Sequence, residues 1–330
     1  FFFQAEDGIR IYQCDWSSDV CSSDLAAICI STAPSTTVCQ APTMRAETTA
    51  SSQSSRALED LLRLWGMHRA PFVCDDKAAQ IFPATGQGEI LELLQTTATL
   101  RGVMLLTGNP GAGKSTLLKG WAASLEPKRF LPLLITQSSL SATGVLEVLL
   151  TKLGERPRFK RSSNLLLLEK HLAELEPITL VLILDDAQNY PAHALEELRL
   201  LLGTGGRGRS AMAMILLGDD YLLESLRLSV QRALFTRISA TARLPELLRE
   251  DISRYLNWHI SRAGLEREIF EPAATEMLAE ASEGNLRILG LLAQAAWMDA
   301  ARQGSLTIQP GNVHKALRQV PAASAKIRKP

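Results

Sequence analysis

The segment that most constrains this chain is Gly108-Asn109-Pro110-Gly111-Ala112-Gly113-Lys114-Ser115, which fits G-x-x-x-x-G-K-[ST] at every fixed position. Glycines at those positions let backbone N–H groups curl around a phosphate without Cβ clashes. A helix opening at Lys114 aims its positive end at the same point. The lysine supplies charge for β- and γ-phosphates, and the Ser115 hydroxyl suits Mg²⁺. The flanks agree: Val103–Leu106 is a short apolar run that reads as a buried strand, and Lys114–Leu125 reads as a helix. The expected ligands are therefore ATP and Mg²⁺, with Gly108 to Thr116 lining the nucleotide.

The remaining pattern places that loop in an α/β layer. Apolar runs at Phe130–Ile135, Leu180–Leu184, Ala211–Leu217 and Ile238–Leu244 read as four further strands. Between them Ala142–Leu153, Asn164–Leu175 and Ala192–Leu202 carry helical spacing, and Gly88–Leu100 precedes the first strand as a helix. Strands alternating with helices predict a parallel five-stranded sheet flanked by helices. After Pro245 the pattern changes to helices alone, at Glu246–Arg262, Pro272–Ala281, Leu286–Ala301 and Pro310–Leu317, with no strand expected. This gives a nucleotide-binding α/β domain over 57–245, a helical lid over 246–320 and a basic tail over 321–330.

The strand Leu180–Leu184 ends in Asp185-Asp186. An acid closing a buried strand beside a phosphate loop can hold Mg²⁺ through water, and a second acid can orient the attacking water. Asp186 is thus a candidate base; the competing reading makes it the N-cap of the next segment.

Leu184-Asp-Asp-Ala-Gln-Asn189 followed by Leu195-Glu-Glu-Leu-Arg-Leu-Leu resembles the "IDEAQN…LEELR" signature of ExeA-like AAA+ ATPases. That family includes general secretion pathway protein A and the ATPase subunits of TnsC/TniB-type transposons. Ala70-Pro71-Phe72, Leu105-Leu-Thr-Gly108, Leu216-Leu-Gly-Asp219 and Gly284-Asn-Leu-Arg287 extend the resemblance across roughly Leu58 to Val320. The resemblance implies a P-loop AAA+ fold, ATP hydrolysis and assembly into homo-oligomers. It puts Asp185 at the metal-holding acid and Asp186 where the family has Glu. Asp219 falls at a γ-phosphate sensor, where the family has Gln. Gln188 is a second polar group near the site. Arg287 falls at the sensor carried by the lid, or is a solvated arginine opening a helix. Arg237 or Arg232 would be a finger given to a neighbouring subunit, or is a surface arginine.

Composition adds limits. Lys and Arg total 35 and so do Asp and Glu, so bulk electrostatics does not drive nucleic-acid binding, although local patches can. Aromatics are 5% of a 46% hydrophobic chain, which favours helices over a β-sandwich. Phe1–Leu25 resembles the translated sequencing-adapter read-through found at the ends of metagenomic reading frames, and 26–56 reads as disordered, with Met44 or Met67 as candidate starts. Four of the five cysteines lie in those segments and Cys74 is the fifth; no Cys/His cluster has metal spacing. A reducing, cytoplasmic setting is expected, with no membrane span, because the apolar runs are too short.

Two basic segments bear on partners. Arg156-Pro-Arg158-Phe-Lys160-Arg161 follows the helix after the second strand, and Arg207 and Arg209 sit in a glycine-rich loop. Both suit sequence-independent contacts to the phosphates of duplex DNA, or are ordinary solvated loops. Three roles stay open: a DNA-bound transposition regulator that recruits a transposase or other effector, a secretion-associated ATPase, and a nucleotide switch with little turnover.

Overall fold

The computed structural model describes residues 58–73, 81–137, 140–203, 210, 212–228 and 232–321. The expectations for Phe1–Leu25, for 26–56, for Cys74, for Arg207 and Arg209 and for the tail beyond residue 321 concern residues outside these.

Five strands form one parallel sheet in the order β2-β3-β4-β1-β5: β1 (Val103–Thr107), β2 (Phe130–Ile135), β3 (Thr179–Leu184), β4 (Met212–Leu217) and β5 (Ile238–Arg243). Burial follows position in that order. Every residue of β1, β3 and β4 is buried, as continuous apolar runs require when helices cover both faces. β5, at the edge, alternates half-buried and exposed residues. Its Ile-Ser-Ala-Thr-Ala-Arg sequence meets water on one side, which is why this strand carries the weakest apolar signal.

Helices α2 (Gln87–Leu100) and α3 (Lys114–Ser124) cover one face, with Leu94, Leu117, Leu118 and Trp121 against Met104, Leu106, Ile183 and Ile215. Helices α4 (Ala142–Lys152), α5 (Arg161–Leu175) and α6 (Ala192–Leu201) cover the other. There Leu146, Leu149, Leu150, Leu168 and Leu198 pack on Leu105, Leu182 and Leu216. Two short helices, α7 (Asp220–Arg227) and α8 (Arg232–Phe235), connect β4 to β5. Neither was legible in the sequence: both are short, and Leu222, Leu226 and Leu234 give each only one turn or two of buried positions.

Four helices follow: α9 (Arg249–Arg262), α10 (Pro272–Ser282), α11 (Leu286–Arg302) and α12 (Pro310–Gln319). Their shared core centres on Trp297, fully buried among Leu256, Ile260, Leu278 and Val313. Trp65, at the end of a helical stretch 58–65 (α1), lies 6.4 Å from the Trp297 ring, and Met67, Phe72 and Phe82 join the same core. Segments flanking the sheet in sequence thus close the lid's interior. The lid is not wholly helical: Phe270 and Ile308 form a single parallel bridge that pins the loops before α10 and α12, too short to leave a strand pattern.

Candidate functional site

The strand order sets the site. β3, β4 and β1 lie side by side and parallel, so their carboxyl ends bring together Asp185-Asp186, Gly218-Asp219-Asp220 and the loop opening at Gly108. Ligands in open α/β sheets bind outside these strand ends.

The loop bends back over β1, with Gly111 at φ 88° and Gly113 at φ 97°. Gly113 is the N-cap of α3, whose helix begins at Lys114, so Ser115 and Thr116 sit in its first turn. Lys114 Nζ donates to the carbonyls of Gly108 (2.7 Å) and Asn109 (3.2 Å). Burial lowers the Lys114 pKa, and the nearby carboxylates of Asp185, Asp186, Asp219 and Asp220 offset part of that shift. Four carboxylates therefore gather around one ammonium group.

Each carboxylate has a different neighbourhood. Asp185 accepts from the Asp186 backbone N–H at 3.0 Å. Asp186 is exposed, with left-handed backbone at φ 49°, and precedes a 3-10 turn at Ala187–Asn189. Its side chain makes no capping bond to that turn; it accepts instead from Gln188 Nε2 at 3.2 Å. The N-cap alternative for Asp186 is not realised in side-chain contacts. Capping falls to Asp219, whose Oδ1 accepts from Leu222 N at 3.1 Å and opens α7. Asp220 is forked by Arg243 from the end of β5, Nη2 at 3.0 Å, and that pairing holds its carboxyl below the usual carboxylate range. Asp185, Asp186 and Asp219 are left around Lys114, an excess of negative charge that a bound cation would balance.

The lid reaches the loop directly. Asn285 Nδ2 donates to Pro110 O at 2.8 Å, the Arg287 backbone N–H donates to Gly111 O at 3.2 Å, and Asn109 Nδ2 bonds Glu246. Gly111 has to be glycine here: a Cβ would stand 2.5 Å from Asn285 Oδ1 and 3.1 Å from Arg287 Cβ. Arg287 is thereby held against the phosphate loop from the start of α11, and Asn285 caps that helix by accepting from Ile288 N at 3.2 Å. Two polar atoms near the strand ends are buried without partners, Gln188 Oε1 and the Tyr190 hydroxyl. Burial and the Asp185 charge push the tyrosine up to about 12. Asn285, Glu246, Arg243 and Tyr190 escape sequence reasoning because their roles are contacts between distant segments; the one available signal was the doublet Asp219-Asp220 facing a strand-end arginine.

The other candidates lie elsewhere. Arg232 and Arg237 are exposed, on α8 and the turn after it. Arg156, Arg158 and Lys160 are exposed in the loop joining α4 to α5. Arg161 is drawn away from that set: its guanidinium forks onto Glu197 of α6, with the shortest contact 2.6 Å and Glu197 only 5% exposed. That pairing gives the buried acid of α6 its counter-charge, while Arg161 itself stays exposed.

The fold is that of the P-loop AAA+ ATPases, a parallel α/β sheet with the phosphate loop after its fourth-placed strand and a helical lid beside it. Within it, residues 95–226 match the AAA domain family. A curated relative, general secretion pathway protein A of Aeromonas hydrophila, is 27% identical over 264 residues. Those residues make up 78% of this chain and 48% of the relative, so the chain spans about half the length of that protein. Among solved structures, the Aeropyrum pernix ORC2 protein in ADPNP–ADP complexes superposes with a TM-score of 0.59 at 18% identity, covering 74% of this chain and 70% of the other. The Aeropyrum pernix ORC1 protein in complex with DNA gives 0.60 at 15%, covering 74% and 67%. At such identities the likeness is one of fold.

Among the described residues no helix is long and apolar enough to cross a membrane, and no group of three or more His, Cys, Asp or Glu is placed to hold a metal. Magnesium does not need such a group, because phosphates and water supply most of its ligands.

Proposed function

We propose that this chain binds and hydrolyses ATP and couples the cycle to duplex DNA. The observation that carries the first part is the convergence of Lys114, Asp185, Asp186 and the lid-borne Arg287 on one glycine cradle. The cradle and the uncompensated carboxylates fit a nucleoside triphosphate with a divalent cation. Ser115 and Asp185 would hold Mg²⁺, which when bound neutralises charge on the phosphate oxygens.

The chain's own groups do the rest. Backbone N–H groups from Gly111 to Thr116 take the β-phosphate, and Lys114 leaves the Gly108 and Asn109 carbonyls for the β- and γ-oxygens. Asp186 accepts a hydrogen bond from the attacking water and aligns it with the γ-phosphorus. Asp219, fixed as a helix cap, bears on the γ-phosphate through an intervening water, since its own charge repels phosphate. Arg287 closes the site from the lid, and Arg237 or Arg232 of a neighbouring copy would complete it in an oligomer.

The DNA reading rests on exposed Arg156, Arg158 and Lys160, with Arg207 and Arg209 as a second basic segment, and it is encouraged by a structural neighbour solved in complex with DNA. In this reading the protein is a transposition regulator that recruits a transposase or another effector from DNA-bound oligomers. A secretion-associated role is favoured by the curated relative. A switch with little turnover is favoured by the Gln188 amide, which occupies the Asp186 carboxylate.

Steady-state phosphate release with and without duplex DNA separates these. DNA-stimulated release, absent from Lys114→Ala, is the expected result. Nucleotide binding with no release would replace the hydrolase reading by the switch. Release indifferent to DNA would favour the secretion-associated role.

A further inference from the structure

The loop between α4 and α5 carries a feature that phosphate contacts do not explain. Phe159, between Arg158 and Lys160, is 105% exposed, the most exposed large apolar side chain described. A single exposed phenylalanine is ordinary on a mobile loop. This loop is held.

Asn164, 3% exposed, clasps the Arg158 backbone with both ends of its amide: Oδ1 accepts from Arg158 N at 2.6 Å and Nδ2 donates to Arg158 O at 3.0 Å. The Lys160 carbonyl accepts from Ser163 N and Asn164 N at 3.0 and 3.2 Å. Arg161 is anchored on Glu197, and Glu155 is tied by its backbone to Leu150 O at 2.9 Å and by its carboxylate to His171 at 3.3 Å. Pro157 stiffens the stretch between. A buried asparagine and an ion pair onto the buried Glu197 thus fix the residues on either side of Phe159, while its ring is left in solvent. The same tip carries Arg156, Arg158 and Lys160, all exposed, and its one acid, Glu155, faces His171.

We propose that this tip is a preformed wedge for duplex DNA: the cations grip phosphates, and Phe159 enters between base pairs and partly unstacks one step. The proposal rests on the DNA reading above and deepens it. A polyanion is the partner that matches three clustered cations. Within a polyanion, stacked bases are what an aromatic ring can join, and apolar wedges flanked by cations unstack duplex steps in this way. Fixing the ring in advance lowers the ordering cost of insertion. Flexible pyrimidine–purine steps are the expected targets.

The test uses the full chain and a duplex carrying a fluorescent adenine analogue at a TA step. Wild type is expected to bind and raise the analogue's fluorescence. Phe159→Ala should lose about tenfold in affinity, within the range for stacking contacts, and lose the fluorescence rise, with the salt dependence unchanged because no phosphate contact is removed. Phe159→Trp should keep both. Arg158→Gln with Lys160→Gln should instead flatten the salt dependence by ~0.9 per charge. Duplex binding by Phe159→Ala with wild-type affinity and fluorescence would overturn the wedge and leave the DNA reading standing. Phe159-dependent binding to single strands but not to duplex would overturn it too. No duplex binding by wild type at low salt would remove the DNA reading itself.

Discussion

Asn285 gives the clearest separation of two roles held by one side chain. Its Oδ1 caps α11 through Ile288 N, and its Nδ2 ties the lid to the phosphate loop through Pro110 O at 2.8 Å. Aspartate is as good an N-cap as asparagine, so Asn285→Asp keeps the cap and removes only the tie. The tie is solvent-exposed and neutral, which makes it worth about 1 kcal/mol, and a carboxylate oxygen facing the Pro110 carbonyl adds repulsion of its own. Asn285→Ala loses the tie and also the cap, about 1 kcal/mol more. In chemical denaturation the aspartate variant should therefore lie roughly halfway between wild type and the alanine variant. Nucleotide affinity should tell a different story. Phosphates accept from the N–H groups of a loop whose Pro110 and Gly111 carbonyls the lid holds, so both variants should shift affinity for an ATP analogue by a similar factor, about fivefold for a tie of this size. Equal stability of the two variants would mean the cap contributes nothing. Wild-type affinity in both would refute the claim that the lid and phosphate loop are coupled through this residue.

Two further perturbations follow from the same geometry. His259 is half-buried among Phe72, Tyr255 and Trp258, and that burial, with Arg262 and Arg69 nearby, lowers its pKa to about 4. Its folded pKa lies below the unfolded value of about 6.5, so protons favour the unfolded chain: its full contribution holds above pH ~6.5 and falls as pH drops toward 4, by up to about 3 kcal/mol. Denaturation midpoints across that window, which His259→Phe should flatten, check it. Asp186→Glu should raise the phosphate-release rate severalfold by extending the carboxylate one methylene, while costing roughly 1 kcal/mol of stability at a left-handed backbone; an unchanged rate would exclude Asp186 as the group that positions water.

What the sequence makes legible here is whatever depends on local periodicity. Phe130–Ile135 is one apolar run and is one strand, with the same limits in both. Helix ends drift where no side-chain cap marks them: α5 begins at Arg161, three residues before the expected Asn164, and α9 begins at Arg249, three residues after the expected Glu246. The phosphate loop is legible because its function requires fixed residues at fixed spacing. Arg161 was not, since a run of four cations looks uniform until Glu197, 36 residues away, claims one of them. Asp219 was legible only in part. It reads from the sequence as a γ-phosphate sensor alone, and only the presence of α7 shows that its carboxylate already makes a capping bond.

The acid at 186 links backbone to chemistry. Residue 186 must turn the chain from β3 into the 3-10 turn with φ 49°, a conformation that Asp and Asn tolerate better than longer side chains because a short polar group can bond locally. The Gln188 amide supplies that local bond. The shorter acid is thus matched to the backbone at the expense of reach, and its carboxylate is engaged before water arrives. Gln188 is itself only half satisfied, since its Oε1 is buried without a donor. Gly218 leaves room for that oxygen, because a Cβ there would stand 2.9 Å from Gln188 Oε1. In the proposed hydrolysis, the short reach of Asp186 and its bond to Gln188 then both limit how that carboxylate meets water.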